Sequence, residues 1–460
     1  MAYIALLFGY GLAFWLVQLD RKMRQAGTWA LWIPGLWLLF QGSRPLSFWL
    51  MGEVADGNAI DTIVDGALLL GAIIVLRKRG LHWGELLTKN KALCLLYIYY
   101  AISLFWSEMP ILTLKRVVKD FGTVLIALVF LTEVDPIEAI RGVFVRLSYL
   151  LIPMSIVAIK WFPNVGRQAR GSGDSMFRGV APHKNMMGML VFVFSIILLW
   201  DLIDIWKRQP RDKQQVWIRI MILAMGFWCL RTCDSQTSML CLTLGTFIFW
   251  AACRLVKMPQ GKKILVTCLV IAGTMAVLDQ TFHLKDIIIK ALGRDPNITG
   301  RTDIWKLVKE QGTDPVFGDG YYVFWDTPRG KSVMDDFMVI KSTHNGYLEV
   351  YVDGGLVADF LLVLVLLAAG HRIIKRLFNG DDFAKIGLVF WVTAIIYNFS
   401  ESSFFRRDLF WFMLLLVTVE CPTWRGVEDA AYELDDADAE ARENEFSAES
   451  PEEKQAEQHC

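Results

Sequence analysis

Apolar runs of about 15 to 24 residues recur along most of the chain, separated by short polar segments. They fall at 3–19, 28–42, 59–76, 92–106, 115–132, 141–162, 186–203, 217–233, 237–255, 263–280, 347–370, 383–400 and 405–420. A helix needs about 20 mostly apolar residues to cross the hydrocarbon core of a bilayer. The pattern therefore predicts an all-α polytopic membrane protein with about 12 or 13 transmembrane helices. The second and last runs are the shortest claims to a span. The first run lacks a basic leader and reads as a span rather than a cleaved signal peptide.

Lys and Arg in short loops orient such a bundle. The loops after spans one, three, five, seven, nine and eleven hold 20 of them, against 8 in the short loops after the even spans. Odd loops are expected to be cytoplasmic. Residues 281–346, after span ten, then form one large outer (periplasmic) loop whose Gly, Pro, charge and aromatics suggest a small folded unit.

Composition supports this class. Hydrophobic residues make up 54%, with 18 Trp and 29 Phe, which excludes a disordered or ordinary soluble chain. The formal net charge of 0 hides an asymmetry. Residues 428–460 hold 13 of the 47 acidic residues but only Arg442 and Lys454 of the 47 basic ones. This leaves residues 1–427, the expected membrane domain, with 45 basic and 34 acidic residues. The tail has few large apolar residues and is expected to be a disordered, acidic, cytoplasmic appendage. Eight cysteines show no disulfide or metal spacing; Cys229 and Cys233 are i,i+4, not CxxC. No Walker A, GxGxxG, GxSxG or loop DxD motif is present, so no nucleotide or metal cofactor is expected.

Basic residues on the expected outer side run against the orientation signal. They are Lys115, Arg116 and Lys119; Arg167, Arg170, Arg178 and Lys184; and Arg294, Arg301, Arg329, Lys331 and Lys341. Either anionic headgroups or an outward-facing anion site would hold them. Arg178 through Gly188 runs into span seven, with Pro182, His183, Lys184 and Asn185 at a helix N-terminus, where free N–H groups favour phosphate. A plain interfacial cap reads the same residues without a ligand. Gly300 through Trp305 reads as a capped helix start, with Arg301 before it and Asp303 in its first turn. Gly318 through Trp325 reads as a turn followed by core aromatics. Thr343 through Glu349 places His344 and Asn345 at the entrance of span eleven. Glu349 and Asp353 are i,i+4 just inside it. A neutral imidazole there could take a proton from a hydroxyl, or be structural.

These ordered segments, with Phe105 to Arg116, Asp234 to Ser238, Leu292 to Trp305, His344 to Gly355 and Asn398 to Glu401, resemble the O-antigen ligase and O-antigen polymerase superfamily of bacterial membrane proteins. The exopolysaccharide-polymerase branch is nearest. The resemblance covers about residues 90–420. It implies a metal-independent, inverting glycosyltransferase of GT-C-like architecture in the bacterial inner membrane, with its active site facing the periplasm. Such proteins move a glycan from undecaprenyl diphosphate to a glycan or lipid-linked acceptor in O-antigen or exopolysaccharide biosynthesis. By the family pattern His344 acts on the acceptor, and Arg301 and Arg178 hold the diphosphate. Arg116, Lys184 and His183 are further candidates, with Glu401, Glu349, Asp303 and Asn345 in support. Implied partners are the bilayer, the lipid-linked donor, the acceptor and polysaccharide-assembly proteins; no nucleic acid is implied. A polysaccharide or lipid-oligosaccharide transporter and a non-catalytic assembly subunit are the alternatives. Asp61 and Asp65 in span three are the most transporter-like feature.

Overall fold

The computed structural model describes residues 1–24, 27–52, 58–169, 175–255, 301–336 and 341–422. Its helices are α1 (Ala2–Met23), α2 (Trp32–Gly42), α3 (Leu46–Met51), α4 (Ala59–Lys78), α5 (Trp83–Lys89), α6 (Lys91–Ile102), α7 (Pro110–Leu131), α8 (Pro136–Trp161) and α9 (Pro163–Gly166). They continue as α10 (Lys184–Lys207), α11 (Lys213–Cys233), α12 (Gln236–Leu255), α13 (Arg301–Glu310), α14 (Pro328–Asp336), α15 (Gly346–Phe378), α16 (Phe383–Tyr397) and α17 (Leu409–Thr418). Between α9 and α10 lies one short antiparallel ribbon, β1 (Arg167–Ala169) and β2 (Ser175–Phe177), which the hydrophobic pattern did not suggest.

The protein is an all-α polytopic membrane protein. Among the described residues, 7 helices are long and apolar enough to cross a membrane, and three shorter apolar helices join them. Every expected span except 263–280, which lies outside the described residues, coincides with a helix. So do the alternating ends. Arg79 reaches Thr28 (3.2 Å) and Glu133, tying the first, third and fifth loops together. Arg44 donates to the carbonyl of Ala181 (2.9 Å), tying the second loop to the sixth at the other end.

The last of the short runs is held by the bundle around it. α17 has 10 residues, all buried, and is packed by α2, α7, α10, α15 and α16. Phe410 lies 5.3 Å from Phe192 and 5.0 Å from Tyr397, while Phe412 lies 4.6 Å from Trp37, ring to ring. A helix walled by protein need not match the bilayer thickness, because its polar ends are satisfied inside the bundle. Asp408 caps its start through the N–H groups of Phe410 (3.0 Å) and Trp411 (2.8 Å). Arg372 takes the Thr418 carbonyl at its finish (2.8 Å).

α15 is broken at Gly354 and Gly355, where the backbone leaves helical geometry. Segment 315–320 enters the break. Asp319 and Gly320 donate to the carbonyls of Val352 (2.9 Å) and Asp353 (3.1 Å), and Pro315 accepts from the N–H of Leu356 (2.9 Å). Gly355 has φ +63°, and a Cβ there would collide with the Val316 carbonyl. The Gly318-Asp-Gly320 motif is thus an insert that re-satisfies the split helix. The outer piece of α15 then packs Val352 with Ile304, Val308, Phe324, Trp325 and Val333 in a small separate core.

At the opposite end a buried ionic network joins α1, α8, α10 and α11. Arg219 donates to Asp201 (3.0 Å) and Asp20 (2.9 Å); Arg24 donates to Asp20 (3.0 Å) and Asp201 (2.5 Å). Arg146 reaches Asp20 from α8 (2.9 Å). Each buried charge has opposite-sign partners, as a low-dielectric interior requires.

Candidate functional site

The start of α10, the outer turns of α7, the 321–322 and 341–344 segments, and the 397–408 connection enclose a cavity of about 430 Å³. Its wall holds Arg116, Lys119, Lys341, Arg406 and Arg407 together with His183, Asn185, His344 and Glu401.

His344 sits just before the N-cap of α15. Asn345 makes that cap by accepting from the N–H groups of Tyr347 (3.0 Å) and Leu348 (3.1 Å). Gly346 follows because the chain passes hard against Asn398: its N–H donates to the Asn398 carbonyl (2.7 Å), and a Cβ would collide with the Asn398 side chain. This contact sets the α15 entrance against the 398–408 connection and brings Glu401 to His344.

The imidazole Nδ1 lies 3.2 Å from Glu401 Oε2. Asn185, in the first turn of α10, donates to the other carboxylate oxygen at 2.8 Å. An ionised carboxylate only accepts, so the imidazole proton belongs on Nδ1 and Nε2 keeps its lone pair. His344 is partly exposed and lines the cavity, whereas Glu401 is buried. The arrangement is a base oriented by an acid, which is in turn oriented by an amide.

Backbone strain gathers at the same place. Asp234, Tyr322, His344 and Phe405 are the non-glycine residues with φ near +50° among the described residues. Three of these four, all but Asp234, line the cavity. L-residues avoid that region, and such outliers concentrate at functional sites.

The cations are held in distinct ways. Arg407 forms a bidentate pair with Asp65 of α4 (2.8 and 3.0 Å), and Lys119 shares the same carboxylate (3.0 Å). Arg406 is partly buried, donates to Glu349 (2.6 Å) and Asp353 (3.1 Å), and lies 3.8 Å over the Tyr322 ring. Arg116 pairs with Asp326 (2.7 Å) and bonds the Tyr322 carbonyl.

Of the residues expected from sequence, His344, Glu401, His183 and Arg116 line the cavity. Glu349 and Asn345 stand behind it. Glu349 takes Arg406, the Thr343 N–H (2.5 Å) and Trp325 Nε1 (3.4 Å). Arg178 and Lys184 are not among the lining residues. Arg178 donates to the carbonyls of Asn164 (3.1 Å), Val165 (3.1 Å) and Pro182 (3.3 Å), bracing the loop that delivers His183. Arg301 and Asp303 open α13, and their side chains lie outside the described residues, as do Arg170, Leu292 to Gly300 and the acidic tail. Arg406 and Arg407 enter the sequence reading only as two of the basic residues in the short even loops, and Asp408 not at all. The signal was present in a pair of arginines on the side where the orientation rule disfavours them. Among the described residues no group of three or more His, Cys, Asp and Glu is arranged to hold a metal.

Comparison with known proteins supplies a relationship. No family model matches the chain. Over 314 residues it is 23% identical to the exopolysaccharide production protein ExoQ of Rhizobium meliloti (strain 1021), covering 65% of this chain and 69% of ExoQ. The chain is a distant relative of ExoQ. This kinship with an exopolysaccharide production protein supports the superfamily resemblance drawn from the residues.

Proposed function

We propose that the protein is a glycan polymerase or ligase of exopolysaccharide or O-antigen type. It joins a glycan carried on undecaprenyl diphosphate to an acceptor sugar hydroxyl at the periplasmic face of the inner membrane. The observation that carries this reading is the His344–Glu401–Asn185 relay in a cavity lined by five cationic side chains. Kinship with an exopolysaccharide production protein agrees with it.

In this mechanism the acceptor hydroxyl gives its proton to His344 Nε2 as its oxygen attacks the anomeric carbon. The bond from that carbon to the diphosphate oxygen breaks, its electron pair leaves with the diphosphate, and the centre inverts. Glu401 stabilises the imidazolium that forms. Arg407, Lys119, Arg116 and Lys341 meet the leaving-group charge, so fixed cations do the work often given to a metal. Arg301 is assigned to the same diphosphate, and Arg178 to the loop beneath it.

The test uses membranes supplied with lipid-linked glycan extracted from a strain lacking the protein. Wild type transfers, Arg301→Ala and Arg407→Ala do not, and EDTA leaves the wild-type rate unchanged. EDTA inhibition reversed by added metal would contradict the metal-free step.

A further inference from the structure

His183 is the N-cap of α10, its Nδ1 accepting from the Met186 N–H at 3.4 Å. An imidazole nitrogen that accepts carries no proton, so the neutral ring holds its single proton on Nε2. His344 has the opposite tautomer, with Nδ1 protonated toward Glu401. The two imidazoles line one cavity, one with a bare Nε2 and the other with an Nε2–H. The His183 ring is exposed to the cavity. Desolvation there lowers its pKa, with Glu401 pulling up and His344 pushing down, which favours the neutral ring.

Residue type is the second observation. As a cap, His is a weak choice: Asn, Asp, Ser and Thr accept from the first-turn N–H groups at shorter reach, and 3.4 Å is long. What an imidazole has and those side chains lack is a donor on its far edge, about one bond further out than the cap atom.

We propose that His183 is a second catalytic imidazole, donating from Nε2–H to the diphosphate oxygen that leaves the donor sugar. This rests on the glycosyl-transfer reading above. The proton stays on His183 throughout; the acceptor proton goes to His344, and the electron pair of the broken bond goes to the oxygen that His183 binds. A neutral donor strengthens its bond as charge grows on that oxygen, and it does not compete with His344 for a proton.

Asn and Gln separate the two edges of the ring. His183→Asn keeps an acceptor at the cap and leaves the Nε2 position empty. His183→Gln places an amide N–H near the Nε2 position and gives up the cap. Full-length variants are assayed in lipid vesicles for initial rates of glycan lengthening, at saturating lipid-linked glycan extracted from a strain lacking the protein, with thermal unfolding read in parallel. The expected result is a Gln variant turning over about 100-fold faster than the Asn variant, while the Asn variant is the more heat-stable. An Asn variant as fast as Gln, or faster, overturns the proposal. A His344→Ala control that still lengthens glycan instead overturns the transfer reading beneath it.

Discussion

At the scale of single residues, the chemistry depends on which imidazole nitrogen of His344 holds the proton. Glu401 sets this, and Asn185 sets Glu401. Replacing the carboxylate with an amide reverses the pattern: Asn185 draws the new carbonyl toward itself and turns an NH₂ group toward Nδ1, which moves the ring proton to Nε2. Glu401→Gln is therefore expected to lose about 100- to 10,000-fold in transfer rate while expressing and inserting normally. A rate within a few-fold of wild type would show that Glu401 does not orient the base. His344 stood out in the sequence because Glu349 and Asp353 share its span entrance, and the resemblance supplied the role that a lone His does not announce. Arg407 was not, because its partner Asp65 lies 342 positions earlier and no local spacing announces the pair.

Among the helices, the decisive element is α15, whose break lets a segment of the long tenth loop complete its hydrogen bonds. Gly355→Ala meets both a left-handed backbone and the Val316 carbonyl, and is expected to expel the 315–320 insert. Because Asp353 and Tyr322 adjoin that insert and both hold Arg406, transfer should fall along with thermal stability. Full activity in the Ala variant would separate the break from the site. Hydrophobic periodicity located the helix but not the break, since two adjacent glycines in an apolar run also suit close packing. The shortness of α17 misleads for a related reason: a length rule written for lipid does not apply to a helix enclosed by five others.

Across the whole molecule, two polar assemblies lie at opposite ends of the bundle, and only one is open. The closed one, around Asp20, Asp201, Arg24 and Arg219, locks four helices. Arg219→Ala leaves two buried carboxylates short of a partner and should cost about 3 to 5 kcal/mol, read as early thermal aggregation with turnover per folded molecule preserved. Loss of turnover in fully folded protein would tie this network to the reaction. Residues 428–460 read from sequence as an acidic appendage, so a chain ending at residue 427 is expected to keep its transfer rate in vesicles; an inactive truncation would make the tail part of the machinery. The alternation of loops between the two ends was readable from Lys and Arg, because that bias acts locally in each loop. The meeting of the sixth, tenth and twelfth loops in one cavity was not readable, because it depends on packing between helices far apart in sequence.

The size of the lipid-linked glycan in cells carrying wild type or His344→Ala tests base-assisted glycan transfer most directly. Collapse of the chains to single repeat units is the result expected of a polymerase, and accumulation of full-length polymer on the lipid carrier that of a ligase. A His344→Ala strain whose glycans match wild type in length and carrier would contradict both.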